Sequence, residues 1–326
     1  MRPLLLSTPE HAALATLVRA GCPMDEGVTT RAFFPDGECH QRIETPVEGR
    51  NVILIGAATD DASTARLFDL CCGITSGGAA SLTLVLPFFA YSTMDREACP
   101  GDVVTARTRA LLISSVLHPP GGLHVLLIEP HTDALPYYFA PRVRTGVIGV
   151  SPTIERLCRE AGGVDFVMAS TDAGRAKTVQ RLADRLGVPA AIAHKRRLGP
   201  ARTRVVALSG DVRGRRVVLH DDMVRSGSSL LGAARACLDA GAIGVSAVVT
   251  HAVLPGDSLE RIQATGLIER LLVTDTHPSA MALAGGFLRV ASIAPDVAAA
   301  LGDHRTTSTP PAASADAEPS PTTVDA

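Results

Sequence analysis

An α/β fold built on parallel sheets is the class this sequence predicts, and three observations predict it. Apolar strand-like runs alternate with helix-period segments along almost the whole 326-residue chain, the pattern of parallel sheets joined by crossover helices. Hydrophobic residues make up 46% of the chain but aromatics only 3%, with no Trp, so the interior must be built from Ala, Val, Leu and Ile. Length is the third: 326 residues exceed one ordinary core and predict two domains and a tail.

Taken in order, NVILIG (51–56) reads as a buried strand, and 62–72 as a helix through Ala65, Leu67, Phe68, Leu70 and Cys71. SLTLVLPFF (81–89) is the next strand, and LHVLLIEPH (123–131) and VDFVMASTDAG (164–174) are strands with polar ends. A helix over Arg175–Leu186 should stop at Gly187 in a left-handed conformation. VVLHDD (217–222) is a further strand, followed by a helix over Ser229–Ala240 closed by Gly241. A boundary between Gly146 and Thr153 divides the chain into domains 1–147 and 148–302. Pro295 begins a last helix ending near Gly302, and 303–326 cannot bury apolar surface and should be a disordered tail.

A formal net charge of -2 gives no electrostatic reason to expect a nucleic acid or an anionic membrane as partner. Seven cysteines, including the vicinal pair Cys71 and Cys72, show neither zinc spacing nor a small-scaffold disulfide pattern and read as reduced thiols. The N-terminal apolar burst is only three leucines, too short for a signal-peptide core. The longest apolar stretch, Leu82 to Ala90, falls far below the roughly 20 residues that span a bilayer. A cytoplasmic protein without a membrane segment is expected.

Every polar cluster lies at the carboxyl end of a strand, the edge where open parallel sheets bind ligands. The most informative is RVVLHDDMVRSGSSL (216–230). Neighbouring strand residues point to opposite sides, so one of Asp221 and Asp222 can face a ligand while the other organises the loop. Carboxylates suit vicinal hydroxyls, and the run Arg225, Ser226, Gly227, Ser228, Ser229 opens a helix whose free N–H groups favour a phosphate. The plainer alternative is a strand, an Asp-rich turn and a serine helix cap.

That run resembles the phosphoribosyl-pyrophosphate signature, which phosphoribosyltransferases also carry. FPDGE (34–38), VLPFFAYSTMDR (85–96), His131, STDAGRAK (170–177), ADRLGVPAAIAHKRR (183–197) and AVVTHAVL (247–254) narrow the resemblance to the ribose-phosphate pyrophosphokinase family, in order and spacing, from about Leu4 to Leu301. The resemblance implies two tandem phosphoribosyltransferase-like domains, a homo-oligomer built from dimers, commonly a hexamer, and diphosphoryl transfer from ATP to O1 of ribose 5-phosphate with Mg²⁺. It implies that Asp221, Asp222 and Arg225 to Ser229 hold the sugar phosphate, and that Lys195 and Arg197 form a mobile-loop pair over the transferred group. Mg²⁺ on the nucleotide phosphates falls to His131 and Asp172. Phe34, Asp36 and Glu38 reach the adenine from a neighbouring subunit, and Asp95 and Arg96 lie on the nucleotide side. Without the resemblance FPDGE is a simple turn and HKRR a solvated loop.

Departures are evident. Glu129-Pro130-His131 stands where Asp-Leu-His is usual, Tyr91-Ser92-Thr93-Met94-Asp95 lacks an expected arginine, and Ser228 replaces a usual glycine. Some of these resemble the family's plant-type second class. The run Arg96 to Asp102 holds one cation, two carboxylates and a Pro-Gly turn where phosphate-activated members of the family carry basic donors, and is a poor site for an anionic effector. A non-catalytic synthetase-like regulatory subunit and a diphosphokinase for another pentose phosphate remain as alternatives. A phosphoribosyltransferase would need a base-binding hood, and no such insertion is evident.

Overall fold

The computed structural model describes residues 1–56, 58–199 and 202–307, with the side chains of 195–206 and 303–307 outside that description. The first half comprises β1 (Leu4–Ser7), α1 (Ala12–Gly21), β2 (Asp25–Glu26), β3 (Thr29–Phe33), β4 (Cys39–Ile43), β5 (Asn51–Ile55), α2 (Asp61–Ser76), β6 (Ser81–Leu86), α3 (Thr105–Ser114), β7 (Leu123–Ile128) and β8 (Arg144–Ile148). Six of its strands form a parallel sheet in the order β2-β1-β5-β6-β7-β8. Strands β3 and β4 stand apart as an antiparallel hairpin.

The second half comprises α4 (Ser151–Gly162), β9 (Phe166–Ser170), α5 (Ala176–Leu186), β10 (Ala190–Gly199), β11 (Arg202–Ser209), β12 (Arg216–Val224), α6 (Ser228–Asp239), β13 (Gly244–Ala252), α7 (Ser258–Ala264), β14 (Leu271–Thr274), α8 (Pro278–Ala282), β15 (Leu288–Ala291) and α9 (Ala294–Thr307). Its sheet runs β11-β10-β9-β12-β13-β14-β15, parallel except for the β10–β11 pair. The interior strand β13 is buried along its whole length, as a strand covered on both faces must be.

Local signals act as the residue types require. Gly187 closes α5 in the left-handed conformation at φ 69°. Asp60 caps α2 by accepting from the Ser63 N–H at 2.6 Å, while the Ser63 hydroxyl takes the Asp60 N–H at 2.9 Å. Three differences from expectation stand out. Strand β12 continues past Asp222 to Val224, because pairing with β13 persists through Val224 and Ala252. Helix α9 runs to Thr307 instead of ending near Gly302, which stays helical rather than turning left-handed. The HKRR segment is β-strand, not loop: Lys195 lies opposite Val205 and Arg197 opposite Thr203 on β11.

Each sheet has an outer core, one containing Leu54, Leu82 and Leu127, the other Leu219, Val249 and Leu271. A third core joins the halves: Leu14 and Val18 of α1 share it with Leu157 of α4, Val179 of α5 and Val297 of α9. The division expected at 147/148 falls at the end of β8, and this shared core lies across it. Apolar packing therefore fixes the two carboxyl edges against each other, and polar residues from both halves meet there. Among the described residues, no helix is long and apolar enough to cross a membrane.

Candidate active site

A cavity of about 500 Å³ opens where the end of β12 meets loops from both halves. Strand β12 places Asp221 and Asp222 on its wall, and the start of α6 forms one end. Gly227 sits at the helix cap with φ 77°, a conformation suited to glycine, and makes no side-chain capping bond. The serine cap of the plainer alternative is not formed, since Gly227 holds the cap position, and the Ser228 N–H has only a long 3.5 Å contact with the Ser226 hydroxyl. An uncapped helix start with nearby hydroxyls is suited to an anion.

Gly227 is constrained from a second direction, since a Cβ there would lie 2.4 Å from the Ile262 side chain. Gly227→Ala is expected to cost roughly 2–4 kcal/mol through left-handed strain and overpacking. Thermal unfolding checks it; an unchanged melting temperature would refute the constraint.

The two aspartates divide their work. Asp221 accepts from the Thr171 hydroxyl at 2.6 Å and from the Asp222 N–H at 2.9 Å, tying β12 to the end of β9. Asp222 looks across the cleft, where the Arg175 guanidinium approaches to 2.5 Å and His131 Nδ1 to 2.6 Å. The same His131 nitrogen lies 2.9 Å from Arg175, so it donates to the carboxylate when protonated and accepts from the guanidinium otherwise. His131 follows β7 in one half, whereas Arg175 and Asp222 belong to the other. This network links the halves at the cavity wall.

Burial pushes the Asp221 carboxyl up, and hydrogen bonding and charge from Asp222 push it further, to about 7. Burial also acts upward on Asp222, but the hydrogen bond to His131 and the charge of Arg175 outweigh it and hold this carboxyl well below its usual range. Because the Asp221 pKa is raised on folding, its contribution to stability is present below the unfolded value near 3.8 and is lost as pH rises through about 7. Asp221→Asn keeps the neutral form at all pH and can still pair with Thr171 and the Asp222 N–H. It is expected to be more stable than the parent at pH 8 by on the order of 2 kcal/mol, with the gain shrinking toward pH 4. Unfolding measured at both pH values decides it, and a gain that grows toward pH 4 would reverse the sign.

The structure gathers most of the remaining expected residues at this cavity. Asp95, Arg96, His131, Asp172, Arg225, Ser226, Ser228 and Ser229 all line it. Asp172 accepts from the Gly174 N–H at 3.0 Å, shaping its turn. Pro130 does not remove His131 from the wall: Glu129 takes a positive φ of 38°, its carbonyl lies 3.0 Å from His251 Nε2, and its carboxylate accepts from the Val150 N–H at 3.0 Å. Among the described residues, the non-glycine positions with positive φ are Tyr91, Glu129 and Leu254, in loops following β6, β7 and β13, strain of the kind that collects around functional sites.

Phe34, Asp36 and Glu38 do not line the cavity; they form the exposed tip of the β3–β4 hairpin, where Phe34 is 55% exposed. The turn closes as FPDGE suggests, with the Glu38 N–H donating to the Asp36 carboxylate at 3.0 Å. The side chains of Lys195 and Arg197 lie outside the described residues. In the 96–102 run, Asp102 accepts from the Cys99 N–H at 2.8 Å and Glu97 from the Gly101 N–H at 2.6 Å, so internal carboxylates already occupy those donors. Sequence reasoning passed over Arg175 and Thr171. Arg175 stands inside the STDAGRAK motif, but periodicity reads it only as the first residue of a helix.

Among the described residues, no three His, Cys, Asp or Glu side chains are grouped to hold a metal by themselves. Asp172 and His131 on one wall nevertheless fit a hard cation that keeps its waters and is shared with substrate phosphates.

Comparisons with known proteins give the family. Residues 4–116 match a family model described as the N-terminal domain of ribose phosphate pyrophosphokinase, and 180–294 match the phosphoribosyl synthetase-associated domain. A ribose-phosphate pyrophosphokinase of Streptomyces coelicolor is 31% identical over 84% of this chain and 84% of its own length. The chain belongs to the ribose-phosphate pyrophosphokinase family. A Hyphomonas neptunium family member is 33% identical, covering 80% of this chain and 83% of its own. The crystal structure of the phosphoribosylpyrophosphate synthetase from Mycobacterium smegmatis superposes with a TM-score of 0.80 at 26% identity, covering 94% of this chain and 99% of that one. Membership makes this chain an enzyme of the pyrophosphokinase class, a transferase of nucleotide biosynthesis.

Proposed function

We propose that the chain transfers the β,γ-diphosphoryl group of ATP to O1 of ribose 5-phosphate, forming phosphoribosyl pyrophosphate and AMP. The observation that carries this reading is the cavity at the end of β12, where two buried carboxylates adjoin a helix start without a side-chain cap. That is a donor and acceptor set for a sugar phosphate. In the reaction a bond forms between O1 and the β-phosphorus, and the bond from that phosphorus to the oxygen bridging it to the α-phosphate breaks with AMP as leaving group. The protein's work is alignment and charge neutralisation.

In this reading the N–H groups and hydroxyls of 225–229 take the 5-phosphate, and Asp222 and Asp221 accept from the ribose hydroxyls. Arg96 lies on the cavity wall beside the nucleotide phosphates, joined by Lys195 and Arg197 from the β10–β11 hairpin. Asp172 and His131 would hold Mg²⁺, which supplies neutralisation of the phosphate charge when bound. The exposed hairpin tip with Phe34, Asp36 and Glu38 lies away from its own chain's cavity, which suits a contact with the adenine bound by another copy in a homo-oligomer. The cytoplasm is the compartment where these substrates meet the enzyme.

Purified protein with ATP, Mg²⁺ and ribose 5-phosphate should release AMP in step with phosphoribosyl pyrophosphate. Absence of AMP from folded protein would sink the reaction and leave a regulatory, synthetase-like subunit. Faster turnover with a different pentose phosphate would reassign the acceptor.

A further inference from the structure

Helix α5 carries a row of cations with few carboxylates to answer it. Lys177, Arg181 and Arg185 recur every fourth residue, so they share one face of the helix. Like charges at this spacing oppose helix formation by a few tenths of a kcal/mol per pair. Only Arg185 forms an ion pair with another described residue, Glu155 of α4 at 2.6 Å. Their shared face lines a cavity of about 480 Å³, a volume typical of small-molecule sites.

This cavity is a different space from the one beside α6. Residues 129–133, Ser151 and Ile154 of α4, and Thr250 also line it. The two cavities adjoin, since His131, Thr132, Gly174, Arg175 and Asp222 line both, and the Arg175 guanidinium is committed to Asp222. One oxygen of the Glu129 carboxylate accepts from the Val150 N–H at 3.0 Å and is engaged there. Asp133 and Asp222 are the other carboxylates that line it, and Asp222 is already paired with Arg175 and His131. Eight residues of helix separate Lys177 from Arg185, a rise of about 12 Å, too far for one phosphate group to bridge. Hydroxyls of Thr178 and Ser151 add polar partners, and Leu182 and Ile154 give an apolar patch.

We propose that this groove is a second ligand site, which binds a polyphosphorylated small molecule laid along α5 from Lys177 toward Arg185. The site is separate from the 96–102 run, whose N–H donors are internally occupied, and it does not depend on the reaction proposed for the neighbouring cavity. The ligand class follows from the linear row of cations: charge repeated along its length, with room for a modest uncharged portion against Leu182.

The test is calorimetric titration of the full chain with inorganic tripolyphosphate in metal-free buffer, beside inorganic phosphate as a single-anion probe. K177A/R181A should weaken tripolyphosphate binding by about tenfold or more, while R213A/R235A, which removes equal charge from exposed arginines elsewhere, should leave it within about threefold. Thermal unfolding of each variant checks that the fold survives. No binding by the parent protein overturns the site. So does loss of binding in R225A with retention in K177A/R181A, which would place polyanions only at the α6 loop. Equal affinity for phosphate and tripolyphosphate would overturn the linear ligand. AMP formation, measured separately, reports on the neighbouring reaction and not on this site.

Discussion

Asp222→Asn is expected to lower kcat/KM for ribose 5-phosphate by about 100-fold or more, with nucleotide affinity changed far less. Hydrogen bonds from ribose hydroxyls to a charged acceptor contribute about 1.5–3 kcal/mol each, and two of them account for a loss of this size. The substitution also removes the charge that faces Arg175 at 2.5 Å and His131 at 2.6 Å in a largely buried setting. A half-broken buried pair costs about 3–5 kcal/mol. Asp222→Asn should therefore melt earlier than the parent at neutral pH, opposite in direction to Asp221→Asn. The neighbouring carboxylates separate in this way because one is held ionised by cations and the other pushed toward neutrality by burial and its neighbour. Steady-state kinetics at saturating ATP measure the loss, and calorimetry with a non-hydrolysable ATP analogue measures nucleotide binding. Normal ribose 5-phosphate kinetics would remove Asp222 from the sugar site.

Much of the fold is legible because its signals are local. The runs at 52–55, 125–128 and 217–219 are apolar without alternation, which buried parallel strands require, and Gly187 marks a helix end by an allowed φ that other residues resist. What escaped the sequence is set by contacts between distant residues. His131 and Asp222 lie 91 positions apart, and nothing in either segment states that they touch. Arg175 bonds to both, yet its local pattern is an ordinary helix start. The shared core was hidden for the same reason: Val18 and Val297 each look like the inner face of a helix, without stating that both lie in one core. At the α6 loop the three serines were equally good caps by residue type, and the φ of Gly227 decided against all of them. The HKRR segment became strand because the β-rich run that follows it folds back as a partner, a pairing that charge composition does not reveal.

Lys195→Ala and Arg197→Ala are expected to reduce kcat by about 100-fold or more each, while the KM values for ATP and ribose 5-phosphate stay within about tenfold. Attack at the β-phosphorus redistributes negative charge over its equatorial oxygens and the leaving oxygen of AMP, so a cation placed for the transition state acts on turnover before it acts on affinity. The backbone supplies a second reason. Both residues lie on a two-stranded extension at the edge of the second sheet, and irregular register falls on either side of them, between His194 and Lys195 and between Arg197 and Gly199. Such irregularities re-aim a strand locally and weaken its pairing, which suits a hairpin that adjusts when phosphates arrive. Lys195→Arg should recover less than half of the lost activity if a compact ammonium is needed, because guanidinium geometry differs from that of a point charge. A rise in both KM values in proportion to the loss, at unchanged kcat, would make the pair a ground-state clamp. Unaltered kinetics would leave HKRR a solvated strand, and the charge of the transferred group would then rest on Arg96.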